Sequence, residues 1–227
     1  MSEAFDAVIE SAAKLQEIVP DLVLVGGTAA AIHAEHRESL DHDHVLADLK
    51  ERYSSVVDAV EASEGWATSV RASHPPLTLM GKLDGVEGGI RQLRRTKPLE
   101  VEEILTPSGK TLRVPTLPEI LRIKAFLLVD RGAVRDFLDV AGLSTRLGTE
   151  DSVEILRGID DYYQLRSQQD GDVLTALILV LANPKPIDAP VIDELPRYKG
   201  LSPQWHDWSA VTSALKALAL ELAGRDG

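Results

Sequence analysis

The stretch VGGTAAAIHAEHRESLDHDHVL, residues 25 to 46, holds the residues whose types and spacing are best suited to chemistry. Gly26-Gly27-Thr28 joins an apolar run, DLVLV, to an alanine-rich run, TAAAIHAEHR. As strand, tight turn and helix, this order aims the first-turn N–H groups and the positive end of a helix at whatever lies over the turn, which suits an anion. Glycines let a phosphate approach the backbone closely. The Thr28 hydroxyl can either cap the helix or touch a phosphate oxygen. Asp41 and Asp43 follow on DHDHVLA, which reads as a strand. Residues two apart on a strand share a face, so both carboxylates point the same way. Facing phosphate oxygens, they suit Mg²⁺, which takes oxygen ligands and keeps substrate phosphate and water in its shell. With two ions, such a site stabilises both the attacking and the leaving oxygen of an in-line displacement at phosphorus. Taken singly, a GG turn is mostly only a turn and a D-x-D is commonly a solvated face. The order strand, GGT, helix, D-x-D strand is what points to a phosphate-and-metal site.

The elements that must position these residues are legible from hydrophobic spacing. AFDAVIESAAKLQEIV (4 to 19) has helical periodicity and ends at Pro20. DLKERYSSVVDAVEAS reads as a helix starting near Asp48. WATSVRA, LTLMGKL, VEGGIRQL, LEVEEILT and TLRVP are strand-like, and LEVEEILTPSGKTLRVP has the form of a hairpin. From Thr116 onward the signals are helical: LPEILRIKAFLLVDR, AVRDFLDVAGLSTRL, DSVEILRGIDDYYQLR, DVLTALILVLAN and SAVTSALKALALELA. NPKPIDAPVIDELPRYKGLSPQ is expected to wrap the surface as a proline-rich linker, with Trp205 and Trp208 as packing anchors. The expected fold class is α+β: a mixed sheet with flanking helices at residues 1–115, followed by an all-helical C-terminal domain at 116–227.

The chain has 227 residues, enough to bury a sizeable core. It has no cysteine, so thiolate zinc sites and disulfides are excluded, which fits a cytoplasmic protein. The acidic N-terminus does not read as a signal peptide, and the longest apolar run, VLTALILVLA, is too short to span a membrane. A net charge of −12 argues against general nucleic-acid binding, so any such role needs a local basic patch. RQLRRTK supplies one, with Arg91, Arg94, Arg95 and Lys97; together with Arg122, Lys124, Arg131 and Arg135 it could line a groove for an RNA acceptor stem. The same residues also read as a solvated strand end and helix surface.

The pattern GGT, then His36-Arg37-x-Ser39-x-Asp41-x-Asp43, resembles the AbiEii/AbiGii-type nucleotidyltransferases of the polymerase-β-like superfamily. That family includes the toxins of type IV toxin–antitoxin pairs, among them the mycobacterial MenT group. The resemblance is carried by residues 25 to 49 and, more loosely, by 117 to 143. It implies that Gly26, Gly27 and Thr28 hold the β- and γ-phosphates of an NTP and that Asp41 and Asp43 bind catalytic Mg²⁺. It implies nucleotide addition to the 3′ end of tRNA, and a basic antitoxin-like partner. In LPEILRIKAFLLVDRGAVRDFLDVAGL, Lys124 and Asp136 match the family's lysine and its aspartate in an R-D pair, Asp136 being preferred to Asp139. Lys124 would then neutralise the triphosphate, and Asp136 would act as a base or position a ligand. Ordinary helix pairing, Arg135 with Asp139, is the alternative for this segment.

The sequence departs from that pattern in two places. His42 and His44 stand where such strands are apolar, and half-buried, hydrogen-bonded histidines are expected there. A zinc site from His33, His36, His42 and His44 has less support, because the two strand histidines point away from the acidic pair; a phosphohydrolase built on His42-Asp43 needs further His and Asp ligands on helices, which the sequence does not supply in that order. The wider superfamily often takes a third carboxylate from a neighbouring strand, yet VEGGIRQL offers only Glu87, with Asp84 in the turn before it. The expected activity is Mg²⁺-dependent transfer of NMP from an NTP to an acceptor hydroxyl, with tRNA as the leading acceptor. The alternatives are a small-molecule nucleotidyltransferase of the antibiotic-modifying kind and a non-catalytic nucleotide-binding or interaction module.

Overall fold

Apolar spacing and a serine cap set the first helix. In the computed structural model, which describes residues 2–95, 97–165, 171–198 and 200–224, α1 (Glu3–Ile18) begins at Ser2, whose hydroxyl accepts from Phe5 N at 3.3 Å. Glu3 and Asp6 sit in its first turn, where negative charge meets the positive end of the helix. Its buried face carries Phe5, Val8, Ile9, Ala12 and Leu15. Five strands follow as one sheet: β1 (Val23–Val25), β2 (Asp41–Leu46), β3 (Trp66–Thr68), β4 (Thr78–Leu83) and β5 (Val86–Gln92). Their order is β1-β2-β5-β4-β3, with β2 and β5 parallel and the other neighbours antiparallel. α2 (Gly26–Ala34) and α3 (Leu49–Glu61) lie between these strands in sequence. β6 (Val101–Leu105) and β7 (Thr111–Pro115) form the expected hairpin. β3 is shorter than WATSVRA suggested, because the chain turns at Ser69, whose N–H donates to Met80 O at 2.8 Å, and Val70 is exposed.

The C-terminal elements are α4 (Leu117–Arg131), α5 (Val134–Leu147), α6 (Thr149–Arg157), α7 (Val173–Ala182) and α8 (Trp208–Gly224). Asp172 caps α7 by accepting from Thr175 N at 2.6 Å. The segment expected to be a surface linker is instead partly built in: it forms 3₁₀ turns at Ala189–Arg197 and Pro203–Trp205 and buries Leu195, Leu201 and Trp205. Trp208 meets Phe137 edge-on at 5.6 Å. Among the described residues, no helix is long and apolar enough to cross a membrane.

Two compact units result: Met1–Ala29 with Glu38–Thr116, and Ala30–Arg37 with Leu117–Gly227. The short segment Ala30–Arg37 thus belongs with the helices, although the chain on both sides of it belongs with the sheet. In the first unit the core packs Leu15, Val19, Leu22, Leu46, Leu49, Val56, Val60, Leu79, Leu83 and Ile90 together. Gln16 of α1 exchanges two hydrogen bonds with the backbone of Arg113 in β7, at 2.8 and 2.9 Å, and so satisfies that edge position.

β2 alternates strictly, with His42, His44 and Leu46 buried and Asp41, Asp43 and Val45 on the other face. The histidines were expected to be half-buried and hydrogen-bonded. Both are fully buried, and only His42 has a side-chain partner, Ser11 Oγ at 3.0 Å from its Nε2. His44 packs against the Ala12 backbone and edge-on to His42 at 5.3 Å, with neither ring nitrogen in good hydrogen-bond geometry. Gly88 makes this possible: a Cβ at that position would lie 2.4 Å from His42 Cε1.

Burial, opposed by the nearby Asp41 charge, lowers His42 to about 4, and burial together with the charge of His42 holds His44 well below the usual histidine range. Unfolded, both titrate near 6.5. Their contribution is therefore complete above about pH 6.5 and is lost as pH falls from there through about 4, at up to about 1.4 kcal/mol per pH unit for each ring. Urea midpoints at about pH 7.5 and about pH 5 should differ more for the wild type than for His44→Leu. Equal differences would show that these rings do not set the acid limit.

Candidate functional site

Gly26 brings a helix start against a carboxylate. Its φ of +75° is open to glycine and strained for other residues. A Cβ there would lie 3.3 Å from both Cβ and Oδ2 of Asp43. The first turn of α2 therefore begins directly beside β2, with first-turn amides that have no intrahelical partner. Thr28 does not cap the helix, contrary to expectation, because α2 already starts at Gly26. Its hydroxyl donates to the backbone carbonyl of Asp41 and the residue is buried, so it ties the helix to the strand.

Asp41 and Asp43 emerge on the same face of β2, Asp41 exposed and Asp43 half-buried. Ser39 Oγ donates to Asp41 Oδ1 at 2.7 Å and orients it. Arg91 Nε lies 3.4 Å from Asp43 Oδ1. Among the described residues no group of three or more His, Cys, Asp or Glu side chains is placed to hold an ion. Glu87 pairs with Lys82 at 3.1 Å, and Asp84 pairs with Lys14 at 2.7 Å.

In the second unit the charges converge on Asp139, which is fully buried. Its Oδ1 accepts from Arg37 Nε at 2.6 Å and lies 2.8 Å from His36 Nε2; its Oδ2 accepts from Arg37 Nη2 at 3.0 Å and from Lys124 Nζ at 2.7 Å. Burial works against this carboxylate, but Arg37, Lys124 and His36 hold it well below the usual carboxylate range. Burial lowers Lys124, and Asp139 opposes that shift. Burial likewise lowers His36, so its ring is held neutral beside the carboxylate. Gly142 leaves room for that ring, since a Cβ there would lie 2.5 Å from His36 Cγ.

The structure thus brings Lys124 together with Asp139 rather than with Asp136. Asp136 is taken by Arg131, at 2.6 and 2.8 Å, and by the Ala133 N–H at the start of α5. Lys124 is 1% exposed and its ammonium faces Asp139 Oδ2 at 2.7 Å. The sequence pattern singled out His36 and Arg37 as marks without assigning them work; their carboxylate partner, about a hundred residues on, carries no local signal. The basic surface also shrinks. Arg122 is buried on Glu119 at 2.6 Å and stacks over Tyr162, Arg131 is on Asp136, and Arg95 donates to the backbone carbonyls of Lys97 and Pro98. Buried Arg122 and Lys124 are not available to line an RNA groove, whereas Arg94, Lys97 and Arg135 are exposed.

Asp139→Ala leaves Arg37 and Lys124 buried without their counter-charge and should cost about 3–5 kcal/mol. Asp136→Ala releases the half-exposed Arg131 and the Ala133 N–H at the start of α5, and should cost about 1–3 kcal/mol. Urea denaturation of the two variants checks the order; a larger loss for Asp136→Ala would show that Asp139 is not the support.

No family model matches the chain. Over 95 residues it is 34% identical to the heme uptake protein MmpL11 of Mycobacterium tuberculosis, a stretch that makes up 42% of this chain and 10% of that protein. The chain therefore spans about a tenth of the length of the curated relatives it matches. Solved structures are similar over far more of it. MenT4, a nucleotidyltransferase toxin of Mycobacterium tuberculosis H37Rv, aligns with 98% of this chain and 84% of its own, with a TM-score of 0.60 and 15% identity. JHP933 of Helicobacter pylori aligns with 98% and 93%, at a TM-score of 0.57 and 18% identity. ANT(2″)-Ia in complex with adenylyl-2″-tobramycin aligns with 69% and 97%, at a TM-score of 0.50 and 12% identity. At these identities the likeness concerns the fold: the chain is an α+β protein with the fold of the MenT4 nucleotidyltransferase.

Proposed function

We propose that the protein is a nucleotidyltransferase that takes an NTP over the Gly26-Gly27 turn and transfers its NMP to an acceptor hydroxyl. We favour the 3′ end of tRNA as acceptor, and a role as the toxin of a toxin–antitoxin pair working in the cytoplasm. The observation that carries this reading is the contact between Gly26 and Asp43, which sets a helix start and a carboxylate pair side by side. Phosphate and a hard cation are the two partners such a pairing suits. The fold shared with MenT4 supports the reaction class.

Asp41 and Asp43 fit Mg²⁺ by the chemistry of their donors, since this ion is commonly held by one or two carboxylates plus substrate phosphates. Asp43 already faces a cation of the chain's own, Arg91. When bound, the ion would offset charge on the triphosphate. The remaining work falls to the chain: backbone amides at the turn hold phosphate oxygens, Ser39 keeps Asp41 oriented, and Thr28 locks the helix start to β2. The acceptor oxygen bonds to the α-phosphorus, the bond to the bridging oxygen of the β-phosphate breaks, pyrophosphate leaves with that bond's electron pair, and the hydroxyl proton passes to solvent water. A basic antitoxin would complement the net charge of −12.

A small-molecule acceptor is the second reading. It is favoured by the fold shared with ANT(2″)-Ia, by the acidic total charge and by the loss of Arg122 and Lys124 from the surface.

The test is incubation with each labelled NTP, Mg²⁺ and either total tRNA or an aminoglycoside panel. Labelled tRNA is expected, and Asp43→Ala should reduce labelling by about a hundredfold or more with an unchanged circular dichroism spectrum. Label on an aminoglycoside and none on tRNA would move the conclusion to the second reading. Full activity of Asp43→Ala would refute the site, and no transfer by the wild type would refute the activity.

A further inference from the structure

The face that carries Asp41 and Asp43 continues onto β5. The strands are parallel, with Asp41 in register with Glu87, Asp43 with Gly89 and Val45 with Arg91. Residues in register share a face, so Glu87, Gly89 and Arg91 stand on the carboxylates' side. The place beside Asp43 is bare by construction. A Cβ on Gly89 would lie 3.1 Å from Asp43 Oδ1 and 2.6 Å from Met80 Sδ, so a third carboxylate cannot be built there without moving its neighbours. Glu87 is 67% exposed on its side chain and is held by Lys82. Arg91, the next residue along this face, turns back over the bare place. Its Nε is 3.4 Å from Asp43 Oδ1 and its Nη2 is 3.7 Å from Met80 Sδ.

We propose that Arg91 is the resident cation of the acidic pair, so that the site takes a single divalent ion and the Arg91 guanidinium supplies the second positive charge to the triphosphate. This rests on the nucleotidyl-transfer reading above. Three features carry it. Gly89 leaves no side chain beside Asp43, so no third carboxylate is there to help hold a second ion. Arg91 is half-exposed, at 49% of its side chain, so its guanidinium stands at the surface where a substrate arrives. Its contacts with Asp43 and Met80 engage two of the five donors of the planar fork, which leaves the geometry that pairs with phosphate oxygens in bidentate fashion. Arg91 is thereby a binding residue for the triphosphate and a competitor for Asp43 when no nucleotide is present.

The test uses the full chain and Mn²⁺ as the probe, read by calorimetry and by the electron paramagnetic resonance signal of unbound Mn²⁺. The wild type should bind one Mn²⁺ per chain. Arg91→Gln, with the competing charge gone, should bind Mn²⁺ about fivefold more tightly, yet bind a non-hydrolysable NTP analogue with Mn²⁺ about tenfold or more weakly. Arg91→Lys keeps the charge without the fork and should restore the Mn²⁺ affinity of the wild type and only part of the nucleotide affinity. Two Mn²⁺ per wild-type chain, or an Arg91→Gln variant that matches the wild type in both affinities, would overturn the proposal while leaving nucleotidyl transfer standing. A wild type that binds neither Mn²⁺ nor nucleotide would overturn both.

Discussion

Two adjacent glycines on β5 set the terms for the N-terminal unit. Gly88 clears one face for the imidazole of His42, and Gly89 clears the other for the carboxylate of Asp43. Because successive strand residues point to opposite faces, the glycine pair matches the His42-Asp43 pair residue for residue across the parallel ladder. A slip of one residue in that ladder would exchange the faces, placing carboxylates in the core and imidazoles in water. Register and chemistry are therefore specified by the same four residues. The buried histidines occupy the room that apolar side chains fill in an ordinary strand, and they do so as neutral rings.

The H-R-x-S-x-D-x-D stretch divides by role once its partners are visible. His36 and Arg37 serve Asp139, Ser39 serves Asp41, and only the two aspartates face outward with chemistry to offer. Burying a charged group is costly unless it is paired and hydrogen-bonded. Asp139 meets that condition with three partners, so its burial joins the exit of α2, the middle of α4 and the middle of α5. The carboxylates that bind partners inside the protein and the carboxylates that remain for a substrate are thereby separated by solvent exposure.

Much of this arrangement can be read from local sequence, and what cannot has a common cause. The strand before Gly26, the helix after it and the strand bearing Asp41 and Asp43 follow from apolar spacing and glycine placement, as do the hairpin and the C-terminal helices. The role of Thr28 is not legible, because a threonine after two glycines looks like a cap until the carbonyl of Asp41 is known to lie beside it. The choice between Asp136 and Asp139 has the same character: they are three apart on α5, both are buried, and only their partners tell them apart, the nearby Arg131 for one and Arg37, about a hundred residues away, with Lys124 for the other. The proline-rich stretch after Asn183 looked like a surface connection because its buried leucines, Leu195 and Leu201, follow no helix or strand period, whereas Trp205 packs as an anchor as its size suggested. Arg91 read as part of a basic run, and its attachment to Asp43 needed the register of β5.

The assignment of Ala30–Arg37 to the helical unit has a consequence for how the chain is made. During synthesis His36 and Arg37 appear about a hundred residues before the aspartate that receives them. Until α5 is complete, the exit of α2 has two polar side chains meant for an interior that does not yet exist. Closing a loop of that length carries an entropic cost that grows only with the logarithm of its length, but it must be met before the ion pairs give anything back. Strands β2 to β7 lie within this loop and can pair while its ends stay apart. Final consolidation of the exit of α2 is therefore deferred until α5, in the middle of the chain, has been made.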